Sequence, residues 1–113
     1  MENNQKTERA VFVGIIRQND DDRKIAEYLE ELEFLAETAG AKGDRKFVQR
    51  LDRPEKATYI RSGKLDEIAA YCEENDIAYV VFDDELTGMQ QRNIERVIKT
   101  SAVIDSRSYL TRK

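Results

Sequence analysis

Two segments of the chain are apolar without a break, and the other elements are spaced around them. Ala10-Val11-Phe12-Val13-Gly14-Ile15-Ile16 shows no alternation, and neither does Ile77 to Phe82. Short runs of this kind read as strands buried on both faces, as in a parallel sheet covered by helices. Gly14 inside the first run predicts that another backbone or a ligand comes close there. Ile25, Tyr28, Leu29, Leu32, Leu35, Ala36 and Ala39 then recur at three- and four-residue spacing. That spacing predicts an amphipathic helix, stopped by Gly40. From Asp44 to Leu51 the apolar anchors thin to Phe47, Val48 and Leu51 among charges, the pattern of an edge strand. Leu65, Ile68, Ala69 and Cys72 form a second helical stripe over about Gly63 to Glu74, which Asn75 can end. Thr87-Gly88-Met89-Gln90 has the form of a capping box, opening a third helix to about Ile98 with Ile94, Val97 and Ile98 inward. Ala102-Val103-Ile104 is a short last strand.

The order β-α-β-α-β-α-β predicts an α/β fold, a four-stranded parallel sheet with helices packed on its faces. With the two apolar strands central and the two weaker ones at the edges, the strand order is 2-1-3-4. Ligands of open sheets bind at the carboxyl ends of strands where the order reverses, here between strands 1 and 3. The expected division is a disordered tail over 1–9, one domain over 10–105, and a frayed C-terminus or truncated linker over 106–113.

Charge sharpens this picture. Charged residues make up 37% of the 113, with a net charge of −4, and the balance is uneven. Lys42 to Lys64 holds eight basic residues against three acidic ones, while Asp20 to Glu37 holds eight acids against Arg23 and Lys24. A basic segment in an acidic chain reads either as a surface for a specific anionic partner or as a solvated, charge-protected edge. No apolar run approaches membrane-spanning length, and one cysteine with no histidine excludes an internal disulfide and most metal and hydrolytic sites. A cytoplasmic location without a membrane partner is the expectation. Cys72, on an inner helical face, reads as an inert buried thiol.

The candidate chemistry lies in Thr58-Tyr59-Ile60-Arg61-Ser62-Gly63-Lys64. Ser62, Gly63 and Lys64 before a helix invite a phosphate-loop reading. The strict pattern fails, because Thr58 stands where the first glycine belongs and Leu65 where the magnesium-binding hydroxyl belongs. What remains is a helix start that favours an anion, with Ser62 able to cap it, or simply a capped helix with a solvated lysine. On the same rim of the sheet, at the carboxyl ends of the strands, Asp83, Asp84 and Glu85 follow strand 3 and Asp105 ends strand 4, so the centre of the rim is acidic and one side basic. Asp83, Asp84 and Asp105 are candidate magnesium ligands for phosphotransfer; the plainer reading is that they cap a helix and solvate a loop.

Leu32 to Ala41, Val48-Gln49-Arg50, Thr58 to Ile68 and Val80 to Glu95, four segments in order, resemble the N-terminal domain of the HflX family of ribosome-associated GTPases. Thr58 to Ile68 resembles its "TYIGSGK-L-E-E-I" signature, and Val80 to Glu95 its "VIFDDELSPAQQRNLE" signature. Leu32 to Ala41 and Val48-Gln49-Arg50 match its "ELAETAGA" and "VQR" segments. The resemblance implies a module that binds the large ribosomal subunit through ribosomal RNA and meets the GTPase domain of the full-length protein. Arg50, Arg53, Tyr59, Arg61, Ser62, Gly63 and Lys64 are then the candidate RNA- or nucleotide-binding residues, with Tyr59 stacking on a base. GTP and magnesium belong to the full-length family and are not required by this domain, which is not a GTPase alone; ATP is the further candidate nucleotide. An ATP-type magnesium site at the acidic rim is the alternative function. The chain departs from the signature at Arg61, where the family has glycine. A positive φ there would strain arginine, whereas a position facing RNA would be strengthened by it.

Overall fold

The computed structural model describes residues 7–106. Of the tail expected over 1–9, residues 1–6 lie outside the described residues and Arg9 already opens the first strand; of the end expected over 106–113, residues 107–113 lie outside them. The elements follow in the predicted sequence: β1 (Arg9–Ile16), α1 (Asp22–Thr38), β2 (Lys42–Arg50), α2 (Ser62–Glu74), β3 (Tyr79–Phe82), α3 (Gly88–Val97) and β4 (Ala102–Asp105). All pairings are parallel and the order is β2-β1-β3-β4, as the hydrophobicity of the strands requires.

Each helix boundary has a local cause. The Asp21 side chain accepts the Arg23 N–H and caps α1. At its other end Gly40 takes φ +101°, with Gly40 N–H on the Glu37 carbonyl and Ala41 N–H on the Ala36 carbonyl. This left-handed stop satisfies carbonyls that the helix leaves unpaired. Thr87 and Gln90 form the reciprocal capping box of α3.

The sheet is covered unequally on its two faces. On one face α1 buries Ile25, Leu29, Leu32 and Ala36 against Ala10, Phe12, Ile16 and Val81. The other face carries the larger core, with α2 and α3 bringing Leu65, Ile68, Cys72, Ile94 and Ile98 onto Val11, Val13, Val80 and Phe82. Cys72 is buried there, and burial pushes its thiol pKa up, so it is inert as the sequence suggests.

Three expectations are corrected. Gly14 makes room neither for backbone nor for ligand; a Cβ there would meet the Leu29 and Ile25 side chains of α1 at 3.4–3.6 Å. The apolar stripe of α1 is narrower than its periodicity suggests, because Tyr28 and Ala39 are exposed beside a helix that lies mainly over β1 and β2. Val97 of α3 is also exposed; buried Gln90 takes the inward position instead.

Candidate functional site

β2 ends at Arg50, and the chain crosses to α2 through a loop that folds on itself. Glu55 and Tyr59 exchange both backbone hydrogen bonds, at 3.0 and 2.9 Å, and leave Lys56-Ala57-Thr58 at the tip. Tyr59 takes φ +69°, a costly conformation for a bulky residue. Packing accounts for its persistence. The ring is 2% exposed, lies edge-on to Phe82 at 5.6 Å, and donates its hydroxyl proton to Asp84 at 3.1 Å. Burial and the Asp84 charge push the Tyr59 hydroxyl pKa well above its ordinary value, so it acts only as a donor.

Helix α3 holds the same loop from the other side. The Gln90 amide donates to the Glu55 carbonyl at 2.8 Å, and the Asn93 amide donates to the Ala57 carbonyl at 3.0 Å. The loop and the second signature stretch thus lock onto each other: Tyr59 on Asp84, Glu55 on Gln90, Ala57 on Asn93. Periodicity reads Gln90 and Asn93 as cap and surface; their long-range bonds carry no local pattern.

The predicted basic residues divide into two groups. Arg50 turns to the α1 face and pairs with Asp22 at 3.1 Å, apart from the others. Arg53, Arg61, Ser62 and Gly63 are exposed on the loop and at the start of α2, with Lys64 half-buried beside them. Arg61 reaches Glu55 at 3.6 Å and Lys64 reaches Glu67 at 3.2 Å, both solvent-screened pairs of little energy. Arg53 and Lys56 have no ionic partner among the described residues. Ser62 does not cap α2. Arg61 is the cap residue, its own N–H is taken by the Gln49 side chain, and no side chain caps the first turn. Arg61 has φ −68°, so replacing the family glycine brings no strain. Tyr59 cannot stack on a base as expected, since its ring is sealed in the core.

The acidic rim does not form a cation site. Asp84 accepts from Tyr59 and lies 3.5 Å from Arg17, and Asp105 is buried on the Leu86 N–H at 3.0 Å. Asp83, next to Asp84 in the bend after β3, feels the charge of Glu31 on α1, whereas Asp84 turns to Tyr59. No group of three metal-ligating side chains converges among the described residues, so magnesium does not fit Asp83, Asp84 and Asp105. The switch point between β1 and β3 is occupied by the protein's own Arg17, Asp84 and Tyr59.

Asp83 has a different property. Burial, with the charges of Asp84 and Glu31, pushes its pKa up to about 6. A carboxyl raised in the folded state contributes stability at low pH, and that contribution is lost as pH rises through about 6. Asp83→Asn should therefore stabilise the domain at pH 8 by roughly 1 kcal/mol, after screening of a partly exposed group, and by little at pH 4. Thermal melts of both proteins at the two pH values check this; an equal gain at both would rule out ionisation as the cause.

Fold and loop together define a small open-sheet α/β domain that carries a rigid basic loop beside a helix start. The chain belongs to the GTP-binding GTPase N-terminal family, whose sequence profile matches residues 26–110, and it is the N-terminal domain of the HflX type. It is 47% identical over 91 residues to GTPase HflX of Flavobacterium psychrophilum, covering 80% of this chain and 22% of that protein. GTPase HflX of Escherichia coli K12 is 30% identical over 96 residues, 85% of this chain and 22% of its own length. The chain thus spans about a fifth of these relatives, whose GTPase domain lies beyond it. A GTP-binding protein of Sulfolobus solfataricus, solved in complex with GDP, shares the fold with a TM-score of 0.65 at 22% identity, over 91% of this chain and 29% of that one. No helix among the described residues is long and apolar enough to cross a membrane.

Proposed function

We propose that this domain is the ribosome-binding N-terminal module of an HflX-type GTPase, and that it docks on ribosomal RNA of the large subunit through its basic loop. One observation carries the reading: Arg53, Lys56 and Arg61 project from a loop held rigid by three long-range side-chain bonds. Preordered cations lose little freedom when they meet phosphates, so such a loop suits a structured polyanion. Lys64 and the uncapped N–H groups of Ser62 and Gly63 extend the same positive rim. The full-length protein would supply GTP hydrolysis from its other domain. The rival magnesium–nucleotide reading has no converging carboxylates to rest on.

Binding of this kind is electrostatic. Each phosphate contact adds roughly 0.7 to 0.9 to the slope of log affinity against log salt. Arg53→Ala, Arg61→Ala and Lys64→Ala together should weaken binding to purified large subunits and flatten that slope by about two to three units. Glu27, Glu30 and Glu37 of α1, replaced by glutamine, should leave binding intact. Unchanged affinity and slope in the basic triple variant would refute the loop as the RNA footprint.

A further inference from the structure

The polar residues of the second signature stretch are largely used in bonds within the domain, and Arg92 stands outside them. Asp84 bonds Tyr59, Thr87 caps α3, Gln90 and Asn93 hold the loop carbonyls, and Gln91 bonds the Val103 carbonyl at 2.8 Å. Arg92 sits in the middle of this set, exposed, with no hydrogen bond or ion pair among the described residues. Its neighbour Asn93 touches Ala57, whose neighbour Lys56 is likewise an exposed cation with no ion pair among the described residues. Arg92 and Lys56 therefore flank one hydrogen bond, from two separate elements fixed against each other. The surrounding helix surface favours the same sign: α3 carries Arg92 and Arg96 against Glu95 alone.

We infer that the phosphate-binding face does not end at the loop but continues onto α3, with Lys56 and Arg92 as a paired contact to the RNA backbone. This rests on the RNA reading above and extends it to a second element. The arrangement has a physical advantage. A cation on a loop and a cation on a helix, carried by two elements that the Asn93–Ala57 bond fixes against each other, can meet two phosphates at once without ordering either side chain's support. Asn93 acts as the positioning residue: its amide donates to Ala57 while its oxygen accepts from Arg96 at 2.9 Å, which fixes the orientation of the amide.

The test uses the 113-residue chain, fluorescently labelled and titrated with purified large ribosomal subunits across a salt series. Lys56→Ala with Arg92→Ala should weaken binding about tenfold at 0.1 M salt and flatten the salt slope by about 1.4 to 1.8 units. Lys56→Glu with Arg92→Glu should weaken it further. Arg23→Ala with Lys24→Ala removes the same charge from the start of α1 and should leave the slope unchanged. Asn93→Ala, with both cations present, should lose affinity at an unchanged number of positive charges. Circular dichroism confirms that each variant is folded. If the Lys56/Arg92 pair changes nothing while the Arg53/Arg61/Lys64 triple still weakens binding, the α3 extension is wrong and the loop footprint stands. If the Arg23/Lys24 control flattens the slope equally, the pair is not a specific contact. If the unaltered chain does not bind subunits at all, both the extension and the RNA reading fall.

Discussion

Tyr59→Ala is expected to destabilise the domain by about 3–5 kcal/mol, the cost of removing a fully buried aromatic ring. The ring is 2% exposed and meets Phe82 edge-on, so the change opens a cavity at the centre of the larger core. Tyr59→Phe isolates the polar part. It removes only the hydroxyl bond to Asp84, which keeps Arg17 and the Glu85 N–H as partners, and should cost about 1 kcal/mol. A third substitution gives a sign that packing alone cannot. At φ +69° glycine is unstrained and alanine is not, so Tyr59→Gly should be less damaging than Tyr59→Ala by about 1 kcal/mol. Elsewhere in a fold the order is usually reversed. Denaturant midpoints at constant slope measure all three. Equal losses for alanine and glycine would show that the backbone at Tyr59 relaxes once the ring is gone.

Tyr59 also marks where the sequence stops being readable. The parallel sheet, its order and all three helices follow from periodicity, because a strand buried on both faces has no polar positions to spare. Phe12 and Val81 face α1 while Val11, Val13 and Val80 face α2 and α3, and neither set tolerates polarity. Such demands leave a local trace. The edge position of β2 is equally legible, since Lys42, Lys46 and Arg50 could not be seated between two other strands.

The site was legible only in its chemistry. Charge segregation located the basic loop, and the family signature marked both stretches that build it. What the pattern could not convey was that they touch. Glu55 to Gln90 spans 35 residues and Tyr59 to Asp84 spans 25, separations at which no periodicity operates. A tyrosine in a polar segment reads as a surface aromatic until the partner of its hydroxyl is known. Likewise Arg50 adjoins the loop in sequence, yet strand alternation sends it to the face opposite α2, where Asp22 waits.

Gln90→Ala should be a strongly damaging polar substitution, at roughly 2–3 kcal/mol, since it empties a buried side-chain site and leaves two part-buried backbone groups without partners. Its side chain is used twice. The oxygen accepts the Thr87 N–H at 2.9 Å and completes the capping box, while the amide donates to the Glu55 carbonyl at 2.8 Å. Truncation unpairs both groups and opens a space in a site that is 6% exposed. Gln90→Glu separates the two roles. It retains an acceptor for Thr87 but sets a carboxylate against the Glu55 carbonyl, so α3 keeps its cap while the loop loses its anchor. Its stability should therefore lie at or near that of the alanine variant, with hydrogen exchange accelerated selectively at Glu55 and Tyr59, whose paired N–H groups report loop opening. Gln90→Ala should accelerate exchange both there and in the first turn of α3. If Gln90→Glu leaves the loop amides as protected as in the parent chain, the Gln90 bond does not hold the loop, and its order must come from Tyr59 and the Asn93 bond to Ala57.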